Sequence, residues 1–131
     1  MSTRKNWTKR RLRVTALACL AVATLGAAAA EEKFQKLTGG YIRAKFGGME
    51  LTDNVHWSDL YQRNGTVMST SMGRKRTGRW RVEKDQLSLD TGQEPGGGCY
   101  EVWQSGRNVE LRNQTSSTPL EAVLQKPPQG R

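Results

Sequence analysis

The amino-acid sequence predicts a mainly β protein: a small antiparallel meander sheet or barrel of about six to eight strands, with one short N-terminal helix, preceded by a signal peptide. Three observations carry that expectation. From Val55 onward, apolar residues alternate with polar ones at a period of two, the spacing at which strand side chains face opposite sides. Turn-forming pairs such as Asn64 with Gly65, Lys84 with Asp85 and Ser105 with Gly106 separate the alternating runs. The first segment, Met1–Ala30, has the three-part pattern of an export signal.

That segment comes first in the chain. Of the 21 Lys and Arg residues among 131, six (Arg4, Lys5, Lys9, Arg10, Arg11 and Arg13) precede an apolar run over 14–25. Gly26 and four alanines follow, and then Glu31 and Glu32. Small residues at −3 and −1 suit signal peptidase, so cleavage is expected after Ala30. The apolar run falls short of the ~20 residues a membrane span needs. Arg13 sits where a twin-arginine signal wants an apolar residue, and Cys19 lies too early in the run for a lipid-modified cysteine. The general export route is expected, with the mature protein periplasmic or secreted and without a membrane span.

Cleavage changes the charge argument. The formal charge of +9 belongs to the whole chain, whereas all 12 carboxylates lie past Ala30 beside fifteen basic residues, a net of +3. A strongly basic protein would suggest nucleic acid; here most of that signal sits in the leader, and a nucleic-acid partner is not expected. The mature chain suffices for one domain with a modest core, expected as a monomer.

The mature chain then reads in order. Residues 31–36 form a polar lead-in to a single β-rich domain over 37–125. Ile42 and Phe46, four apart, with Thr38 before them as a cap and Gly47 and Gly48 after them as a stop, predict a helix over 39–46. Val55 and Trp57 alternate with His56 and Ser58 as a strand. Asn64 and Gly65 predict a type I′ hairpin turn, with 66–72 as the returning strand. Gly73, Arg74, Lys75 and Arg76 read as a polar turn. Trp80 and Val82 face inward, with Arg79, Arg81 and Glu83 opposite; Leu87 and Leu89 follow after the Lys84 and Asp85 turn. A glycine-rich loop covers 93–98. Tyr100 and Val102 alternate with Glu101 and Trp103, and Val109 and Leu111 with Glu110 and Arg112. A Ser/Thr loop over 113–118 leads to a last strand over 120–124, and 126–131 are expected as a disordered tail.

Several stretches carry a resemblance: 42–53 (IRAKFGGMELTD), His56 with Trp57, 71–82 (SMGRKRTGRWRV) and 99–103 (CYEVW). Together they resemble a group of small exported α-proteobacterial proteins with no assigned function. More loosely they look like bacterial modules with a G-x-W … L-C … C-Y pattern. The resemblance covers most of the mature chain and implies a β-rich exported module, with no activity, ligand or catalytic residue attached. In the looser pattern two cysteines pair across neighbouring strands. Here Ser88 stands at the first position and Cys99 at the second, so the resemblance implies an orphaned thiol, without a bridge worth roughly 2–4 kcal/mol.

The side chains suited to chemistry are few. His56, the only histidine, lies between Asp53 and Asp59. Its imidazole suits general-base chemistry, but a solvent-facing position is expected. Neither a zinc-ligand spacing nor a calcium loop from Glu50, Asp53 and Asp59 is visible, and no cofactor is expected. Cys99 lacks a neighbouring cation to stabilise a thiolate and is expected as a buried, inert, unpaired thiol. No nucleophile-elbow motif surrounds Ser69 or Ser71. An enzyme is therefore not expected.

The candidate contacts are charged and aromatic. Arg74, Lys75 and Arg76, with Arg79 nearby, form the sharpest basic cluster, suited to phosphate because guanidinium donates two parallel hydrogen bonds. The same charges also protect a sheet edge. Trp57, Trp80 and Tyr100 are expected in the core, while Trp103, facing away from Tyr100 and Val102, is the candidate exposed binding aromatic. The leading expectation is an exported, non-enzymatic binding module whose partner is an envelope protein or an anionic glycolipid. Alternatives are an inhibitor of an envelope hydrolase, acting through the 93–98 loop, and a small-ligand carrier.

Overall fold

The computed structural model describes residues 33–92 and 97–130. The signal-peptide expectation, Glu31 and Glu32 of the lead-in, 93–96 of the glycine-rich loop and Arg131 lie outside the described residues. A short strand β1 (Gln35–Lys36) and helix α1 (Gly39–Phe46) lead into β2 (Met49–Thr52), β3 (Trp57–Tyr61), β4 (Thr66–Ser71), β5 (Arg74–Glu83), β6 (Gln86–Asp90), β7 (Gly98–Ser105), β8 (Asn108–Arg112) and β9 (Leu120–Gln125). Strands β2 to β9 pair antiparallel in chain order, and β9 closes back onto β2. Among the described residues the fold is an eight-stranded up-and-down barrel with one short helix. Closure removes the free sheet edges that an open meander of this length exposes.

The inward faces explain the core. Leu51, Tyr61, Val67, Trp80, Leu87, Leu89, Val102, Val109, Leu111, Ala122 and Leu124 are buried, and within each strand they recur at every second position, as a closed sheet with one filled interior requires. Strand β2 escaped the sequence reading for a physical reason. Met49, Glu50, Leu51 and Thr52 do alternate, but over only four residues squeezed between the helix-stopping glycines and the turn at Asp53 and Asn54, and the outward Glu50 and Thr52 are buried along with Leu51. Val55 and His56, expected to begin a strand, instead occupy the β2–β3 loop.

Helix α1 matches its expected span and buries Ile42 and Phe46. Its capping differs. Thr38 makes no side-chain cap bond; the Gly39 N–H donates instead to Asp85 Oδ1, 2.6 Å away. Asp85 sits with Lys84 in the β5–β6 turn, both at positive φ (59° and 48°), so a tertiary partner supplies the acceptor usually found at the N-cap. A Cβ on Gly39 would lie 3.2 Å from both Asp85 and Val82. The helix thereby docks over one end of the barrel, where the Phe46, Tyr61 and Trp80 rings meet edge to face at 5.2 and 5.5 Å.

The lead-in is a strand at its end rather than loop throughout. Gln35 and Lys36 pair with Gln104 and Trp103 of β7, and Leu37 N–H donates to Val102 O at 2.8 Å. Strand β6 occupies that edge of β7 only as far as Tyr100, so β1 completes the part β6 leaves open. Two turns also differ from expectation. At Asn64 and Gly65 only Gly65 has positive φ (89°), and Gln62 N–H bonds to Thr66 O. This is a three-residue connection with a left-handed glycine, not type I′. The two-residue turn falls instead at Met72 and Gly73, both at positive φ (49° and 78°). The basic run expected as a turn is therefore the beginning of β5. Residues 126–130 carry no regular secondary structure, and Pro127 is half-buried.

Candidate functional site

The hairpin of β4 and β5 projects past its neighbour. Strand β4 pairs with β5 from Arg74 to Arg79, whereas β6 pairs with β5 only from Arg79 to Glu83. Among the described residues, Arg74 to Thr77 thus have a strand partner on one side alone, while Gly78 already lies against the Asp90 and Thr91 backbone. Arg74, Lys75, Arg76 and Arg79 are all exposed, and none joins a carboxylate in an ion pair among the described residues. Alternation places Arg74 and Arg76 on the same face as Trp80, toward the barrel mouth, with Lys75 and Arg79 outward. Arg76 lies level with Ser69 and, one strand further, Asp59.

Two apolar side chains sit at the tip of this structure. Val55 and Met72 are 78% and 77% exposed. Met72 N–H donates to His56 O at 3.0 Å, which ties the hairpin turn to the β2–β3 loop and brings the two apolar residues to one rim. The loop itself is ordered by Asp53. Its Oδ1 accepts N–H bonds from Val55, His56 and Trp57, and its Oδ2 lies 2.8 Å from His56 Nδ1. Desolvation pushes the Asp53 carboxyl upward, but the backbone donors of Trp57, Val55 and His56, together with the imidazole, outweigh it and hold the group well below the usual carboxylate range. His56 is exposed, as expected, and serves the loop.

Inside the mouth, Asp59 hydrogen-bonds Ser69, while burial keeps its carboxyl above the ordinary aspartate value. Tyr61 is fully buried and its hydroxyl has no hydrogen-bond partner among the described residues. Burial raises its pKa, reinforced by Asp59 and Tyr100. Trp57, Tyr100 and Trp80 pack in or against the core, as expected. Glu50, Asp53 and Asp59 do not converge: Glu50 lies on the outward face near Gln125, and among the described residues no group of three or more His, Cys, Asp or Glu side chains could hold a metal ion.

Trp103 is not the exposed aromatic expected. It is half-buried, its Nε1 donates to Glu101 Oε2 at 3.2 Å, and the Arg112 guanidinium lies 4.1 Å from its ring centroid. Lys36 Nζ pairs with Glu101 at 2.6 Å, and Arg112 with Glu110 at 2.6 Å. The indole is thus a strut in a polar lattice joining β1, β7 and β8. The Cys99 expectation is corrected on burial alone: the thiol is unpaired, as expected, but exposed. Its direct cross-strand neighbour is Ser88, with Sγ and Oγ 3.6 Å apart.

A second basic cluster was not singled out in the sequence. Arg43 of α1, Arg63 of the β3–β4 connection and Arg81 of β5 line a cleft of about 300 Å³ together with Gly47, Asn64, Gly65 and Trp80. Its members lie far apart in the chain, so only the fold shows their convergence. No helix among the described residues is long and apolar enough to cross a membrane. No protein-family model, curated protein or solved structure matches the chain.

Proposed function

We propose that the protein is an exported, non-enzymatic binding module of the bacterial envelope, periplasmic or secreted, that docks on surfaces bearing anionic lipid or glycolipid head groups. The observation that carries this reading is the composition of the rim. Val55 and Met72 both stand exposed where the hairpin turn is tied to the β2–β3 loop, and the exposed cations Arg74, Lys75 and Arg76 lie just past Met72 in the chain. Apolar tips flanked by cations suit the membrane interface, where the tips enter the head-group boundary and each cation contributes about 1 kcal/mol near an anionic surface. An envelope protein as partner is the second reading, since exposed apolar residues beside charges also mark protein interfaces. The filled interior, with Ile42, Phe46, Tyr61 and Val102 fully buried, supports surface docking over carriage of a ligand inside the barrel.

Co-sedimentation with vesicles of phosphatidylglycerol and phosphatidylcholine tests the proposal. Retention is expected to rise with the anionic fraction and fall with salt. The Arg74→Glu, Lys75→Glu, Arg76→Glu triple variant should lose binding at least tenfold, about 1.4 kcal/mol or more, with unchanged circular dichroism. Equal retention of the triple variant, or no retention of the mature protein on anionic vesicles, refutes it. Mass spectrometry of envelope-fractionated protein tests the leader, whose expected mature start is Glu31.

A further inference from the structure

We propose that the cleft formed by Arg43, Arg63 and Arg81 is a binding site for a phosphoryl oxyanion, separate from the docking rim. The three arginines come from three different elements and line about 300 Å³ of open space. Arg81 shares its charge with Glu83, 2.7 Å away. Arg43 and Arg63 have no ion pair among the described residues. Gathering like charges this way is unfavourable in the unliganded protein, and an anion relieves it. The C-terminal end of α1 offsets part of that repulsion, since its exposed carbonyls favour cations.

The second observation is how Arg63 is held. Its side chain lies across Gly47 and Gly48. A Cβ on Gly47 would sit 3.4 Å from Arg63 Cγ, and one on Gly48 would sit 3.4 Å from Nε. Gly48 also has φ of +83°, and with no Cβ at either glycine the Arg63 side chain lies along bare backbone at the helix end. A guanidinium laid down in this way has lost part of its rotamer freedom before any ligand arrives, which lowers the cost of a bidentate contact. Asn64 Oδ1 is committed to Thr66 N–H at 2.9 Å, leaving the amide NH₂ of that side chain as a further donor. Trp80, whose Nε1 is taken by Gln62 O at 2.7 Å, contributes an apolar wall. Forked cations, an amide donor and an apolar wall match a tetrahedral oxyanion carried on a small organic group. A free phosphate and a phosphomonoester share that chemistry.

Phosphorus NMR titration of the mature protein at fixed ionic strength tests the site, with inorganic phosphate in one arm and glycerol 3-phosphate in the other. Saturable shifts at millimolar or lower ligand are expected in both arms. Tighter binding of the ester would assign the apolar wall to its organic group, and equal binding would assign the site to the oxyanion alone. Arg43→Gln with Arg63→Gln should weaken binding at least about tenfold, the effect of losing one charge-assisted hydrogen bond. Arg63→Lys keeps the charge and the fold but loses the fork, and should weaken binding several-fold. The Arg74→Glu, Lys75→Glu, Arg76→Glu variant should bind phosphate as the unaltered protein does, so failure here and failure of vesicle docking are distinguishable. Absence of a saturable shift in the unaltered protein, or full binding by the folded Arg43→Gln, Arg63→Gln variant, overturns the proposal.

Discussion

At the end of the barrel covered by α1, side chains fill the interior and the helix terminus is closed by Asp85. At the other end, where the β2–β3 loop meets the β4–β5 turn, Val55 and Met72 are left in solvent and Arg74, Lys75 and Arg76 lack carboxylate partners among the described residues. Strand β4 runs between the two. The difference separates two uses of apolar surface: Phe46, Tyr61 and Trp80 generate stability by burial, whereas Val55 and Met72 contribute little to folding and are free to meet something else. Substitution at the two ends should therefore move different observables.

The largest effect is expected at the helix-covered end. Trp80 is 6% exposed, touches Tyr61 edge to face and donates to Gln62 O. Trp80→Ala should cost about 3–5 kcal/mol, a large part of the 5–15 kcal/mol of a typical domain. The comparison is broken if urea denaturation shows otherwise. Met72→Ser at the opposite end should stay within about 0.5 kcal/mol while reducing vesicle retention. Equal loss of stability from the two substitutions would show that Met72 is structural.

The two ends also differ in how readily the sequence discloses them. Inward residues such as Leu87, Leu89, Val102 and Val109 alternate with polar neighbours, because the wall has one dry and one wet face. The helix was legible from Ile42, Phe46 and the two glycines. Other parts were not legible, each for a local reason. Gln35 and Lys36 have no strand pattern of their own and pair only because β6 leaves part of β7 uncovered. Arg74, Lys75 and Arg76 are so polar that they read as a turn, although they are paired with β4. The candidate hairpin cations were visible as a run, and the neighbouring apolar tips became a single feature only when Met72 met His56. Arg43, Arg63 and Arg81 are separated along the chain and left no local signal. Trp103 was rightly placed on an outward face, but outward did not mean accessible, since Arg112 of the adjacent strand covers its ring.

A cross-link placed between β6 and β7 sharpens the contrast by strengthening the barrel near the glycine-rich loop. Ser88 and Cys99 are direct partners across these strands, with their side-chain heteroatoms 3.6 Å apart. Ser88→Cys should form an intrachain disulfide on oxidation and raise stability by up to about 3 kcal/mol, chiefly by constraining the unfolded chain. The gain should vanish with reductant, and Ser88→Cys with Cys99→Ser should show none. If vesicle binding is unchanged by the cross-link, the docking rim acts independently of the β6–β7 wall.

The smallest effect concerns the carboxyl just inside the open mouth. Burial raises the Asp59 pKa above 3.8, although Ser69 donates to it and opposes the shift. The folded state therefore holds this proton more tightly than the unfolded chain. Stability is lost as pH rises from the ordinary aspartate value through the higher folded one, and the loss is complete above it. Asp59→Asn removes that titration while keeping an acceptor for Ser69. The variant should be more stable than the parent at neutral pH, and the advantage should shrink as pH falls toward 3.8. Urea midpoints measured across that range check the sign. An advantage that grows in acid would mean the carboxylate is stabilised in the folded barrel, which would turn the mouth from a site that disfavours negative charge into one that holds it, with Arg76, level with Asp59 two strands away on β5, as a candidate cation.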